Sequence, residues 1–282
     1  MKRFVLIFAI PLVAVIGCKL SNSSVPLNVI SYNIRFDNPT DGVNAWPNRK
    51  ADVAALLRFH GADIACLQEA LYHQITDLQD QLPYLSWVGV GRDDGEMLGE
   101  YSPILFNSQR FTLDHWDTFW LSSTPEKPSL GWDAACIRIC TYAKFSDKQS
   151  KQSFFVFNTH FDHVGVAARA NAAKLIIKRI SEIANDIPVI LAGDFNTNPE
   201  GDPYALITQS LADSYLISSE PPYGPVATWN GFDYSSALDQ RIDYIFVNDK
   251  FSVYKYANLS DSKDQHFPSD HLPVFVRLGF VK

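Results

Sequence analysis

Pro268-Ser269-Asp270-His271, close to the C-terminus, sets a carboxylate beside an imidazole just ahead of an apolar run of strand type, Pro273 to Phe280. Five stretches upstream repeat the arrangement: Ser31-Tyr32-Asn33, Leu67-Gln68-Glu69, Asn158-Thr159-His160, Gly193-Asp194-Phe195-Asn196 and Arg241-Ile242-Asp243-Tyr244. Nearly all put a carboxylate, amide or imidazole at the end of a short apolar run. Core packing has no reason to collect such groups at strand ends. A site that binds a hard metal ion and breaks a phosphate ester does.

Outward from these stretches, the chain reads as strands with intervening helices. Pro26 to Ile34, Ala62 to Leu67, Tyr84 to Val90, Ser102 to Phe106, Phe111 to Trp120, Ala135 to Phe145, Ser153 to Thr159, Ile187 to Leu191, Ile242 to Val247, Ser252 to Tyr256 and Pro273 to Phe280 have strand character. Asn48 to His60, Tyr72 to Leu82, Val166 to Ala184 and a short stretch near Asp202 to Gln209 have helical spacing. The basic residues Arg169, Lys174 and Lys178 of the longest helix read as a solvated face. Strands without helices between Tyr84 and Thr159 imply antiparallel pairing. The mixture predicts an α/β fold with two β-sheets packed face to face and helices outside.

The ordered set Asn33, Glu69, His160, Asp194/Asn196, Asp243 and Asp270/His271 resembles the endonuclease/exonuclease/phosphatase superfamily, in particular a bacterial secreted branch similar to deadenylase-like members. The resemblance runs from about Leu27 to the C-terminus. It implies a four-layer α/β sandwich, two packed mixed or antiparallel sheets flanked by helices, with the site at one open end. It also implies a metal-dependent phosphoester hydrolase with Mg²⁺ or Mn²⁺ held by Glu69, Asn33 and Asp270. His160, Asp194, Asn196, Asp243 and His271 carry the catalytic roles in that resemblance, Asp243 holding His271 in one tautomer. Glu100, placed like a glutamate of pancreatic-type deoxyribonucleases, is expected to orient His160 and complete a second carboxylate–histidine dyad. Arg138 resembles the family's phosphate-holding arginine. Asn33, Asp162 and His163 are expected on the substrate side, and Trp132, Asp133, Trp229 and Phe232 are loop candidates for contacts to a base or sugar.

For the substrate, Arg241-Ile242-Asp243-Tyr244-Ile245-Phe246 stands where inositol-polyphosphate 5-phosphatases carry a different motif. The expectation is phosphodiester cleavage of a short nucleic acid or a small diester. The alternatives are a sphingomyelinase-like phospholipase C, a sugar or inositol phosphatase, and a binding lipoprotein without activity. The net charge is −7, and losing Lys2 and Arg3 with a leader makes it −9. No basic footprint for a long polyanion is evident in sequence.

Residues 1–17 read as a lipoprotein signal peptide: Lys2 and Arg3, an apolar stretch from Phe4 to Gly17, then Cys18 as the lipidation site. Residues 18–26 form a lipidated tether and 27–282 the catalytic domain, expected as a monomer. This predicts an exported bacterial lipoprotein of the outer membrane, facing the periplasm or cell surface. Cys66, Cys136 and Cys140 read as free thiols, the last two on one strand face and too far apart for a disulfide.

Overall fold

The structure is a computed structural model that describes Met1 and residues 25–281. The leader, Cys18 and most of the tether lie outside the described residues. Among the described residues, no helix is long and apolar enough to cross a membrane.

Two six-stranded sheets form the centre. The first runs from β1 (Leu27–Asn33) and β2 (Ile64–Gln68) through β3 (Leu85–Val88) and β4 (Ile104–Asn107), and is completed by β11 (Phe251–Asn258) and β12 (Val274–Phe280) in the order β11-β12-β1-β2-β4-β3. The second holds β5 (Phe111–Trp120), β6 (Ile139–Asp147), β7 (Ser153–His160), β8 (Val189–Asp194), β9 (Ala212–Asp213) and β10 (Asp243–Val247) in the order β5-β6-β7-β8-β10-β9. The β1–β2 and β7–β8 pairs are parallel; the other pairs are antiparallel. Each parallel pair is joined by a helix crossover, α1 (Trp46–Phe59) or α3 (Val166–Ala184). With α2 (Tyr72–Gln81), α4 (Asp202–Ile207) and α5 (Ser214–Ile217), this gives the layered arrangement expected from sequence.

Three cores separate the layers. Val29, Cys66, Phe154, Val156, Ile190, Ala192, Ile245 and Val276 fill the space between the sheets. Ile30, Tyr32, Val53, Leu57 and Leu78 join the first sheet to α1 and α2. Phe157, Leu191, Phe246, Ala173, Ile176 and Ile207 join the second to α3 and α4. Side chains alternate along a strand with period two. The core therefore dictates where polar residues go next. Val29 faces inward, so Ser31 and Asn33 do; Phe154 and Val156 lead to Asn158 and His160; Ile190 and Ala192 lead to Asp194; Val247 and Ile245 lead back to Asp243. Four site residues are the inward positions just beyond the apolar filling.

Several expected bounds shift. The strand expected over Ala135 to Phe145 starts at Ile139, which leaves Cys136 in the preceding loop, partly buried. Cys66 and Cys140 are buried free thiols, and Cys136 is free as well. The 3-10 turn Pro39–Asn44, β9 and α5 carry too few residues to show a period and were not read from sequence.

Candidate active site

At one end of the sandwich lies a bowl of about 560 Å³, walled by Arg35, Glu69, Arg92, Arg138, His160, Asp194, Asn196, Asp270 and His271, with Trp229 and Gln240 at its side. Glu69 stands just past β2 in the left-handed region, φ 59°, a conformation that costs a non-glycine residue about 1–3 kcal/mol. Its carboxylate accepts from Asn33 Nδ2 at 3.0 Å and from the Phe36 amide at 3.2 Å. Asn33 Nδ2 also donates to Asp194 Oδ2 at 3.0 Å, and its oxygen accepts the Arg35 amide at 3.0 Å. Asn33 therefore turns N–H groups, not its oxygen, toward the carboxylates. In this arrangement Asn33, expected among the metal ligands, bridges Glu69 and Asp194.

Glu69 and Asp270 converge on Arg35, whose guanidinium lies 4.0 Å from each while being held by Asp41 at 3.0 Å. Burial, and the Glu69 charge against the opposing pull of His271, raise the Asp270 carboxyl above its ordinary range. Two hard oxygen donors under mutual repulsion suit a divalent cation. Glu69 and Asp270 would hold it.

Asp194 lies on the inner face at the end of β8, nearly unexposed. Burial and the Asp243 carboxylate push it up to about 7. The close approach of the chains requires Gly193, because a Cβ there would run into the Thr159 carbonyl. His271 Nδ1 contacts Asp243 Oδ2 at 2.8 Å, and its Nε2 is 3.8 Å from Asp194 Oδ2. Burial opposes protonation of His271, yet Asp243 and Asp194 hold it well above the ordinary histidine value. Together these three offer donor atoms within 4.8 Å of one another. Asn196, also left-handed at φ 47°, sends Nδ2 to within 3.1 Å of His160 Nε2 and to the Phe161 carbonyl at 3.0 Å.

The expected Glu100–His160 dyad does not form. Glu100 Oε2 is 4.0 Å from His160 Nδ1, and it pairs instead with Arg92 at 2.7 Å. A short hairpin, in which the Arg92 amide bonds the Glu100 carbonyl, folds Arg92 back onto it. His160 Nδ1 meets Arg138 Nη1 at 2.9 Å.

Asp162, expected on the substrate side, does not line the bowl. It is buried and accepts the amides of Cys136, Val164 and Gly165; against its burial, these backbone bonds hold its carboxyl down to about 2. His163 stands at the rim with Nδ1 3.1 Å from Arg138 Nη2. Asp133 caps the start of α3 through the Ala167 and Ala168 amides. Phe232 packs near Arg49, its ring centroid 5.5 Å from the guanidinium carbon. Trp132 is outside the bowl wall, whereas Trp229 lines it. Arg35, Arg92 and Gln240 were missed in sequence. Arg35 had a signal, since it follows Asn33 by two positions in an exposed-end pattern; Arg92 and Gln240 had none.

The superfamily resemblance read from sequence is matched by direct comparison. A model of the Endonuclease/Exonuclease/phosphatase family matches residues 30–271. A solved endonuclease/exonuclease/phosphatase family protein from Bacteroides thetaiotaomicron superposes with TM-score 0.88 at 37% identity, covering 92% of this chain and 99% of that one. A mannosyl-6-phosphatase from Bacteroides thetaiotaomicron VPI-5482 superposes with TM-score 0.87 at 38% identity, over 90% of this chain and 100% of its own. A probable RNA exonuclease of Saccharomyces cerevisiae is 28% identical over 68% of this chain, which spans only 41% of that relative.

Proposed function

The chain belongs to the endonuclease/exonuclease/phosphatase family, whose members are phosphoester hydrolases, and on that premise we propose that it hydrolyses a small phosphate monoester, a phosphorylated sugar. The observation that carries this reading is the make-up of the bowl. Its wall includes cationic and N–H groups for a phosphoryl group, Arg35, Asn196, His160 and His271. It also includes an indole, Trp229, bridged to His271 through the backbone, and an amide, Gln240, suited to the face and hydroxyls of a sugar. The similarity to a mannosyl-6-phosphatase supports the same class.

The residues divide the work. Glu69 and Asp270 would hold Mg²⁺ or Mn²⁺, which would supply positive charge to offset that of the phosphoryl group. Asp194, titrating near neutrality, takes a proton from the attacking water. His271, backed by Asp243, is a charged donor to the developing negative charge. Asn196 aims its amide at the same space.

A second reading is the one favoured by sequence, diester cleavage of a short nucleic acid, which the yeast RNA exonuclease relative supports. Against a long polyanion stands the net charge of −7. The deciding assay measures turnover, with Mg²⁺ present, of hexose 6-phosphates, inositol polyphosphates, bis-p-nitrophenyl phosphate, sphingomyelin, and short RNA and DNA. Release of inorganic phosphate from a hexose phosphate is expected to exceed diester cleavage. Selective cleavage of RNA with hexose phosphates untouched overturns the proposal in favour of the second reading.

A further inference from the structure

Arg92 and Glu100 stand on the two arms of the short hairpin at the bowl's edge. Both line the bowl, and both line a narrow recess beside it that they share with Arg138 and His160. The hairpin is closed without their side chains. Its arms are joined by the Gly91 amide to the Glu96 carbonyl, the Arg92 amide to the Glu100 carbonyl and the Asp93 amide to the Leu98 carbonyl. Asp94 Oδ1 accepts the Glu96 and Leu98 amides at 2.7 and 3.0 Å. From behind, Trp120 Nε1 donates to the Arg92 carbonyl at 2.7 Å.

The two side chains are left as a matched donor and acceptor. Arg92 Nη1 donates to Glu100 Oε2 at 2.7 Å. Among the described residues, Arg92 Nη2 and Glu100 Oε1 have no hydrogen-bond partner, and neither atom is shut off from solvent. Arg92 Nε is shut off and unpartnered, with Asp93 Oδ1 3.8 Å away. The side chains are 14% and 17% exposed. An ion pair this enclosed, with an acceptor oxygen and a donor nitrogen unused, is a costly brace. It is well suited to a ligand that both donates and accepts, and a hydroxyl does both. Of two neighbouring hydroxyls, one can donate to Oε1 while the other accepts from Nη2.

We propose that Arg92 and Glu100 are specificity-determining residues that together bind two neighbouring hydroxyls of the phosphorylated sugar.

This deepens the sugar-phosphate reading of the bowl and rests on it. The pair stands on the far side of His160 from the groups that meet the phosphoryl group. His160 Nε2 looks to Asp194 at 3.4 Å and Asn196 at 3.1 Å, while its Nδ1 looks to Glu100 at 4.0 Å. A sugar whose phosphate sits at Asp194 and Asn196 reaches the pair by extending its ring past the imidazole. Glu100 is poorly placed to orient His160 instead, because Arg138 Nη1 already meets that Nδ1 at 2.9 Å. The charge-assisted bonds the pair offers are the kind by which a site rejects an analogue lacking one hydroxyl.

The test measures kcat and KM of wild type and Glu100→Gln on a hexose 6-phosphate, on its analogues lacking one ring hydroxyl each, and on p-nitrophenyl phosphate, which has no hydroxyls to read. Glu100→Gln is expected to raise KM for the hexose 6-phosphate about 10-fold or more, with a smaller change in kcat and a smaller loss on p-nitrophenyl phosphate. That penalty should disappear on the analogue missing the hydroxyl that Oε1 accepts. Equal losses on the sugar, every analogue and p-nitrophenyl phosphate overturn the proposal and make Glu100 a support for His160 or the hairpin. No loss at all overturns it as well. Both results leave the sugar-phosphate reading standing, whereas wild type that turns over p-nitrophenyl phosphate but no hexose phosphate removes that reading and this proposal with it. If Glu100→Gln does not fold, Arg92→Gln enters the same comparison. The wild-type series then also counts: a loss of about 10-fold or more confined to one analogue or two neighbouring ones supports the pair, and equal turnover of all analogues overturns it.

Discussion

Asn158→Ala is expected to destabilise the fold by about 3–5 kcal/mol and to cut turnover of the folded fraction. Asn158 is on the inner face of β7 and is fully buried. Its Nδ2 donates to the Leu67 carbonyl at 2.7 Å and the Pro103 carbonyl at 2.8 Å, both in the opposite sheet's half of the sandwich. Its Oδ1 accepts Gln68 Nε2 at 2.7 Å. One side chain thus stitches the two sheets together directly beneath the bowl. Three buried hydrogen bonds at about 1 kcal/mol net each give roughly 3 kcal/mol, and stranding the Leu67 carbonyl without this donor adds about 1–2 kcal/mol. Urea unfolding should show a lower midpoint at unchanged slope. Asn158→Asp should be worse than alanine at neutral pH, because a carboxylate has no donor for two facing carbonyls. Gln68 precedes Glu69, so its loss of anchorage should reach the metal carboxylate. A stability loss below about 1 kcal/mol, or an aspartate variant as stable as wild type, refutes the reasoning.

Chelation should abolish activity and added Mg²⁺ or Mn²⁺ restore it; Glu69→Ala should weaken the response to metal, and full rate in excess chelator would remove Glu69 and Asp270 from that role. Asp243→Asn should lower kcat by about 10²-fold or more by withdrawing the carboxylate behind His271, with little effect on thermal stability; an unchanged rate counts against a charged His271. Arg110→Ala should cost about 3–5 kcal/mol, since it strands the buried Asp147 that Arg110 meets at 2.9 Å. Burial would raise the Asp147 carboxyl, but Arg110 and the Gln149 amide hold it below its ordinary value. That stability is present above the unfolded value of about 3.9 and is lost as pH falls through the folded one, so acid unfolding should be steeper in wild type than in Arg110→Ala. Cys18→Ser should release the protein from the membrane fraction; retention of the variant there argues against lipidation at Cys18.

The strand ends were legible because the period of a strand is rigid. Once Val29, Val156, Ala192 and Ile245 are assigned to the inter-sheet core, Asn33, His160, Asp194 and Asp243 must point the same way, and only chemistry explains polar groups there. The order of the motifs added the family, and Ser269 shows how closely a short motif can be used. Its hydroxyl ties the last strand's approach to the Asn33 carbonyl at 2.7 Å, so the serine of Pro-Ser-Asp-His is structural while its neighbours carry chemistry. What sequence could not resolve was competition among charges delivered by loops. Glu100 lies within reach of His160 by spacing, but a carboxylate offered both a guanidinium and an imidazole takes the permanent, bidentate-capable charge. The hairpin from Arg92 to Glu100 brings that guanidinium to 2.7 Å, and the vacated side of His160 falls to Arg138. The left-handed turns at Glu69 and Asn196 were hidden for a related reason. Nothing local favours φ of 59° at Glu69, whose carboxylate is held by Asn33 and Phe36; Asn196 at 47° is a residue type that tolerates this region, and its backbone N–H bonds Asp194 Oδ1 at 2.9 Å while its side chain is held by the Phe161 carbonyl. Backbone strain and ion-pair choice are both decided by partners far away in sequence, and they are what separates a set of correctly named residues from a working site.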